Sequence, residues 1–143
     1  MEHRTYVTFE WDTEDNAEFD AGGNIVAPGG RQIIEDLQRG LRQRGFSVTD
    51  VVMHEFYGWS FNAISERVQV WCMIQYAEPW LLVTDVPFSR MHWLLGRKPR
   101  LQHSRVCTAI HDVLASSRRA RTIQWFSPRE YNQSQGSEGA DRP

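Results

Sequence analysis

The sequence predicts one α+β domain: a single, mostly antiparallel sheet of five to six strands with two helices packed on one face, in the order β-α-β-β-β-β-α-β. Three observations carry this. Several short runs alternate apolar and polar residues with period two, the pattern of a half-buried strand. Two longer runs, residues 31–44 and 101–117, repeat their apolar residues at helical spacing instead. A chain of 143 residues with 41% hydrophobic and 24% charged residues has the size and composition of one ordinary globular domain.

The elements follow in order. Residues 5–11 alternate, with Thr5, Val7, Phe9 and Trp11 on one side and Tyr6, Thr8 and Glu10 on the other. Residues 12–30 are acidic, then rich in glycine, and read as a long loop. Ile33, Ile34, Leu37 and Leu41 form the stripe of the first helix, and Gly45 is placed to stop it in a left-handed cap. Residues 46–52 predict a strand with Phe46, Val48 and Val52 as core candidates. Residues 56–64 and 68–76 predict a hairpin around Ser65-Glu66-Arg67. Its register matters, because a slip of one residue sends every side chain to the other face. The pairing that gives one fully apolar face sets Tyr57, Trp59, Phe61 and Ala63 beside Val68, Val70, Cys72, Ile74 and Tyr76, and sends Trp71 and Met73 to the opposite face.

Beyond Pro79, residues 80–86 predict a strand with Leu81 and Val83 inward, and Trp80 and Leu82 on the Trp71 side. Residues 87–99 read as a connection containing Met91, Trp93, Leu94 and Leu95, with one helical turn; an aromatic such as Trp93 there is more often core. Val106, Ile110, Val113 and Leu114 form the second helical stripe, and Ile123 and Trp125 belong to a last short strand. The domain is expected to span 1–127, with 128–143 a disordered polar tail.

Composition narrows the function. A net charge of -2 argues against a dedicated nucleic-acid binder. No run approaches the length of a membrane span, and no apolar signal core follows Met1, so a cytoplasmic, bacterial-like protein is expected. Two cysteines, Cys72 and Cys107, both in apolar segments, read as small core hydrophobes rather than a disulfide framework. Charge is uneven. Residues 1–20 hold seven acids against Arg4, and residues 90–121 hold eight bases against Asp112. These predict an acidic loop and a basic rim, which attract one another within the fold or steer partners.

No catalytic motif is present: no GxSxG, HExxH, P-loop or dinucleotide fingerprint. His103, Cys107 and His111 fall at i, i+4 and i+8 on the second helix. The outer two lie about 12 Å apart along the axis, so one ion cannot take all three. Without a paired CxxC or HExxH context, no metal and no cofactor are expected. Asp50, His54, Glu55 and Tyr57 gather titratable groups, and a His beside a carboxylate is a general-base pattern. Gly22-Gly23 and Gly29-Gly30 before the first helix offer only a weak anion-binding signal.

The expected function is a non-enzymatic protein-binding module of immunity, inhibitor or adaptor type. It would present Trp71, Met73 and Trp80 on an aromatic sheet face, with Asp12, Glu14 and Asp15 at its rim, to a protein partner or a second copy. The spacing of Gly58-Trp59, Trp71 and Trp125 is distantly similar to immunity-type proteins that neutralise toxins, a likeness that carries no residue over. The alternatives are a small metal- or His-dependent enzyme, and a nucleic-acid binder that uses the basic 90–121 region with Trp93 stacked on a base.

Overall fold

A computed structural model describes residues 3–55, 57–75, 77–133 and 139–143. Its elements run β1 (Tyr6–Trp11), β2 (Glu18–Phe19), β3 (Ile25–Ala27), α1 (Arg31–Gln43), β4 (Ser47–Val48), β5 (Val52–His54), β6 (Gly58–Ser65), β7 (Val68–Gln75), β8 (Trp80–Asp85), α2 (Ser89–Leu94), α3 (Pro99–Ser116), β9 (Ala120–Phe126) and α4 (Pro128–Gln133). One antiparallel sheet has the strand order β4-β6-β7-β8-β1-β9, with β5 also paired to β6. The fold is α+β, as the sequence predicts. No helix among the described residues is long and apolar enough to cross a membrane.

The register of β6 on β7 is the one that gives a single apolar face. Trp59 pairs with Ile74, Phe61 with Cys72 and Ala63 with Val70. Directly opposite residues share a face, so these six side chains enter the core together. Trp71 pairs with Asn62 and Met73 with Ser60 on the other side. The core cluster adds Val7, Phe9 and Trp125 from β1 and β9, and the stripes of both long helices: Ile33, Ile34, Leu37 and Leu41 from α1, and Val106, Ile110 and Leu114 from α3. The helices meet at Gly40, where a Cβ would lie 2.6 Å from Val113 Cγ1. Only glycine permits that approach.

The β8 strand corrects one expectation. Leu82 pairs with Ile74 and Val7, and is fully buried in the core. Leu81 and Val83 therefore face the Trp71 side, and Trp80, paired with Phe9, packs against the core instead. Four successive apolar residues, Trp80 to Val83, carry no alternation to choose between the faces, so pairing with β1 and β7 makes the choice.

Local differences have local causes. The loop of 12–30 contains the β2–β3 hairpin, whose turn is held by Asp20 Oδ1 accepting from Gly22 N and Asn24 N, both at 2.9 Å. These bonds hold the Asp20 carboxyl below the usual range. The strand expected at 46–52 is split into β4 and β5. Thr49 stands between them, and its Oγ1 accepts from Asn62 N. Residues 128–133, expected to be disordered, form α4, where Tyr131 stacks edge-on against Tyr6 and Phe126. Ala140 exchanges two backbone bonds with Trp125. The expectations for Phe56, Tyr76 and residues 134–138 lie outside the described residues.

Candidate functional site

The sheet face expected to bind is less open than its sequence implies. Met73 is only 6% exposed. Trp71 is half-buried, with the His54 ring edge-on against it at 6.1 Å. Trp80 lies on the opposite face, where it also touches the position a Cβ of Gly30 would take. The three residues therefore do not form one surface.

The acidic residues divide in a similar way. Asp12 and Glu14 are exposed. Asp15 is not at a rim: its Oδ2 accepts from Ile33 N at 3.0 Å, and its carbonyl accepts from Gly30 N. The α1 N-cap, Gly30, has no side chain, so the carboxylate of Asp15, eighteen residues before Ile33, takes over the bond a Ser or Asp cap would make. The weak anion signal at Gly29-Gly30 is thus met by the chain's own Asp15.

Six exposed large apolar side chains lie elsewhere, on α2 and its flanks. Phe88 is 73% exposed, Trp93 71% and Leu94 75%, and Met91, Leu95 and Leu101 are also open. No residue of α2 is buried. Arg90, Lys98, Arg100 and Arg105 are exposed around this apolar group. Arg97 Nη1 donates to His92 Nδ1 at 3.4 Å, which ties the end of α2 to the turn that follows. Trp93, read from the sequence as a core aromatic, instead stands in the open with its apolar neighbours.

Beside α2 lies a cavity of about 430 Å³, lined by His3, Asp85, Arg90, Trp93, Arg100 and His103 among others. Here the two α3 histidines separate, and of them His103 is the one that lines the cavity. His111 Nδ1 accepts from Trp125 Nε1 at 3.1 Å, so it serves the core and not a ligand set. His103 and Cys107 instead converge with His3. One ring nitrogen of each histidine and Cys107 Sγ lie within 4.8 Å of one another.

Thr84 organises this cluster. Its Oγ1 bonds the Thr5 carbonyl at 2.8 Å, His103 Nε2 at 2.7 Å and Cys107 Sγ at 3.4 Å. The hydroxyl has one proton, and the carbonyl can only accept it. His103 Nε2 therefore carries the hydrogen it donates to Thr84, and the ring's lone pair is on Nδ1. Burial, then His3, pushes the His103 pKa down to about 4, so the ring is neutral at pH 7. Burial, then the Arg100 charge, lowers His3 in the same direction. Burial pushes Cys107 up to about 12, against a small opposing effect of the Thr84 bond. His3 was not a sequence candidate, because it is a hundred residues from its partners and only the docking of β1 beside β8 brings it near.

Of the general-base candidates, His54 is turned to a neighbouring strand rather than to a carboxylate. His54 Nε2 bonds Ser60 Oγ, a pair of the kind that activates nucleophiles, but Ser60 is buried between β5 and β7. The bond fastens β5 to β6. Compared with family models, with curated proteins and with solved structures, the chain finds no match in any of the three.

Proposed function

We propose that this chain is a protein-binding module whose docking surface is the apolar segment 88–101 with its basic border, rather than the aromatic sheet face. The observation that supports this most directly is the exposure of Phe88, Met91, Trp93, Leu94, Leu95 and Leu101 within fourteen consecutive residues. Contiguous apolar groups with a polar rim mark interaction sites on soluble chains, and Trp and Arg supply much of the energy at such interfaces. The partner is a protein with an apolar centre and acidic groups at its edge, complementary to Arg90, Lys98, Arg100 and Arg105. One surface of that chemistry belongs to this chain: the β2–β3 hairpin exposes Phe19, Ile25 and Val26 beside Glu18 and Asp20. A second copy is therefore one possible occupant. A cytoplasmic location fits the two free, buried cysteines.

The test pairs light scattering of the purified chain with affinity capture from extract, for the parent and for a Trp93→Ser/Leu94→Ser double variant. The parent is expected to self-associate or to retain a defined protein, with affinity that falls as salt rises. The double variant should lose about 30-fold or more in affinity, as loss of an interface anchor does. Equal capture by the two proteins, or a parent that binds only lipid vesicles, would refute this reading.

A further inference from the structure

His3 and His103 converge on Cys107, a residue of the apolar core cluster, and bring ring nitrogens to its thiol. The His3 Nε2 atom is shielded from solvent and has no hydrogen-bond partner. A buried polar atom left so costs about 1–3 kcal/mol unless something takes it. The two imidazoles stand edge to face at 4.8 Å, and the thiol is the third member of the group. The ligand atoms of a tetrahedral zinc ion are separated by roughly 3.3–3.7 Å, so closing this group around an ion needs movements of about 1 Å.

We infer that His3, His103 and Cys107 form a three-ligand site for Zn²⁺ or a similar borderline divalent transition metal, with its fourth position directed to the cavity beside α2. Two imidazoles and a thiolate suit such ions and not the hard, oxygen-seeking Mg²⁺ or Ca²⁺. Neutral imidazoles enter such a site through a ring lone pair and release no proton. Cys107 enters as the thiolate: its Sγ–H bond breaks, an Sγ–metal bond forms, and one proton leaves to solvent for each ion bound. Thr84, fixed by the Thr5 carbonyl, borders both His103 and Cys107 and would orient them as outer-shell partners do. An ion here would also fasten the segment before β1 to α3. Three protein ligands and an accessible cavity is the arrangement of zinc sites that accept a further ligand.

The test is titration of the metal-free full chain with Co²⁺ at neutral pH. Binding of one equivalent should produce a thiolate-to-cobalt charge-transfer band and the strong visible absorption of tetrahedral Co²⁺. One proton should be released per ion, and Zn²⁺ should displace the colour. His3→Gln should weaken binding by about 100-fold or more, and Cys107→Ser should abolish the charge-transfer band. His111→Gln should bind as the parent does. If Cys107→Ser does not fold, His3→Gln decides, since His3 is only partly buried before the first strand. A parent chain that gives no thiolate band, or a His3→Gln chain that binds as tightly as the parent, would overturn the site. The Trp93→Ser/Leu94→Ser variant should keep the metal, so this result and the docking result can fail separately.

Discussion

The β6–β7 hairpin and the α2 segment are the two aromatic-rich parts of this chain, and they meet opposite environments. Trp59 in β6 is 8% exposed, and its Nε1 donates to the Pro28 carbonyl at 2.8 Å. Trp93 in α2 is 71% exposed. Hydrophobicity does not separate them, since α2 and its flanks hold as many large apolar residues as a core strand. Period does. The hairpin repeats every second residue, so two registered strands send Trp59, Phe61, Cys72 and Ile74 one way. Around α2 the apolar groups Phe88, Met91, Trp93, Leu94 and Leu95 are confined to a helix of under two turns and its two caps. A segment this short offers no stripe of several turns for the sheet to cover, so its apolar groups stay open. Phe88 and Gly96, both at positive φ, end the segment before it can lengthen and gain one.

The contrast can be broken at the hairpin, with the largest effect expected there. Phe61→Ala should cost about 3–5 kcal/mol of unfolding free energy, the cost of emptying a fully packed aromatic site. Chemical denaturation checks it, and a loss under about 1 kcal/mol would mean that the β6 face is not close-packed. The next effect lies at the boundary between the two regions, where His103 sits under the cavity beside α2. Its folded pKa of about 4 is below the ordinary 6.5, so the unfolded chain takes the proton first as pH falls. The stability this neutral ring contributes is complete above about pH 6.5 and is lost on the way down to about pH 4, up to about 3 kcal/mol. In the metal-free chain, His103→Gln should flatten that slope in thermal melts taken across the window. A parent protein whose stability is level from pH 7 to 4 would contradict it. The smallest effect is at α2 itself. Trp93→Ala should change stability by no more than about 0.5 kcal/mol, as an exposed side chain does. A melting shift of several degrees would show that Trp93 belongs with the packed region.

Much of the fold was legible because the relevant patterns are short and self-consistent. The stripes of α1 and α3 and the alternation in β1, β6 and β7 name most of their buried residues without help from distant parts of the chain, but Tyr57, expected inward, is 67% exposed and Met73, expected outward, is buried. The sheet face of β8 was not legible, because Trp80 to Val83 are apolar at both parities. Nor was α4: Tyr131 is a lone aromatic in a polar stretch, and only the proximity of Tyr6 and Phe126 gives it a place to pack. The candidate site was half legible. His103 and Cys107 share a helix face by their spacing, but His111 on the same series turns to Trp125, and its place is taken by His3.

By itself, then, the sequence determined the class of fold, the extent of its two long helices, and the register of the central hairpin, because periodicity fixes which side chains must leave water together. The tertiary structure alone decided which residues lie exposed and which groups meet. Asp15 became a helix cap, Trp80 turned to the core, α2 was left uncovered, and His3 came to lie against His103 and Cys107. Each of these depends on contacts between segments far apart in the chain, and local pattern carries no information about where a distant segment will dock.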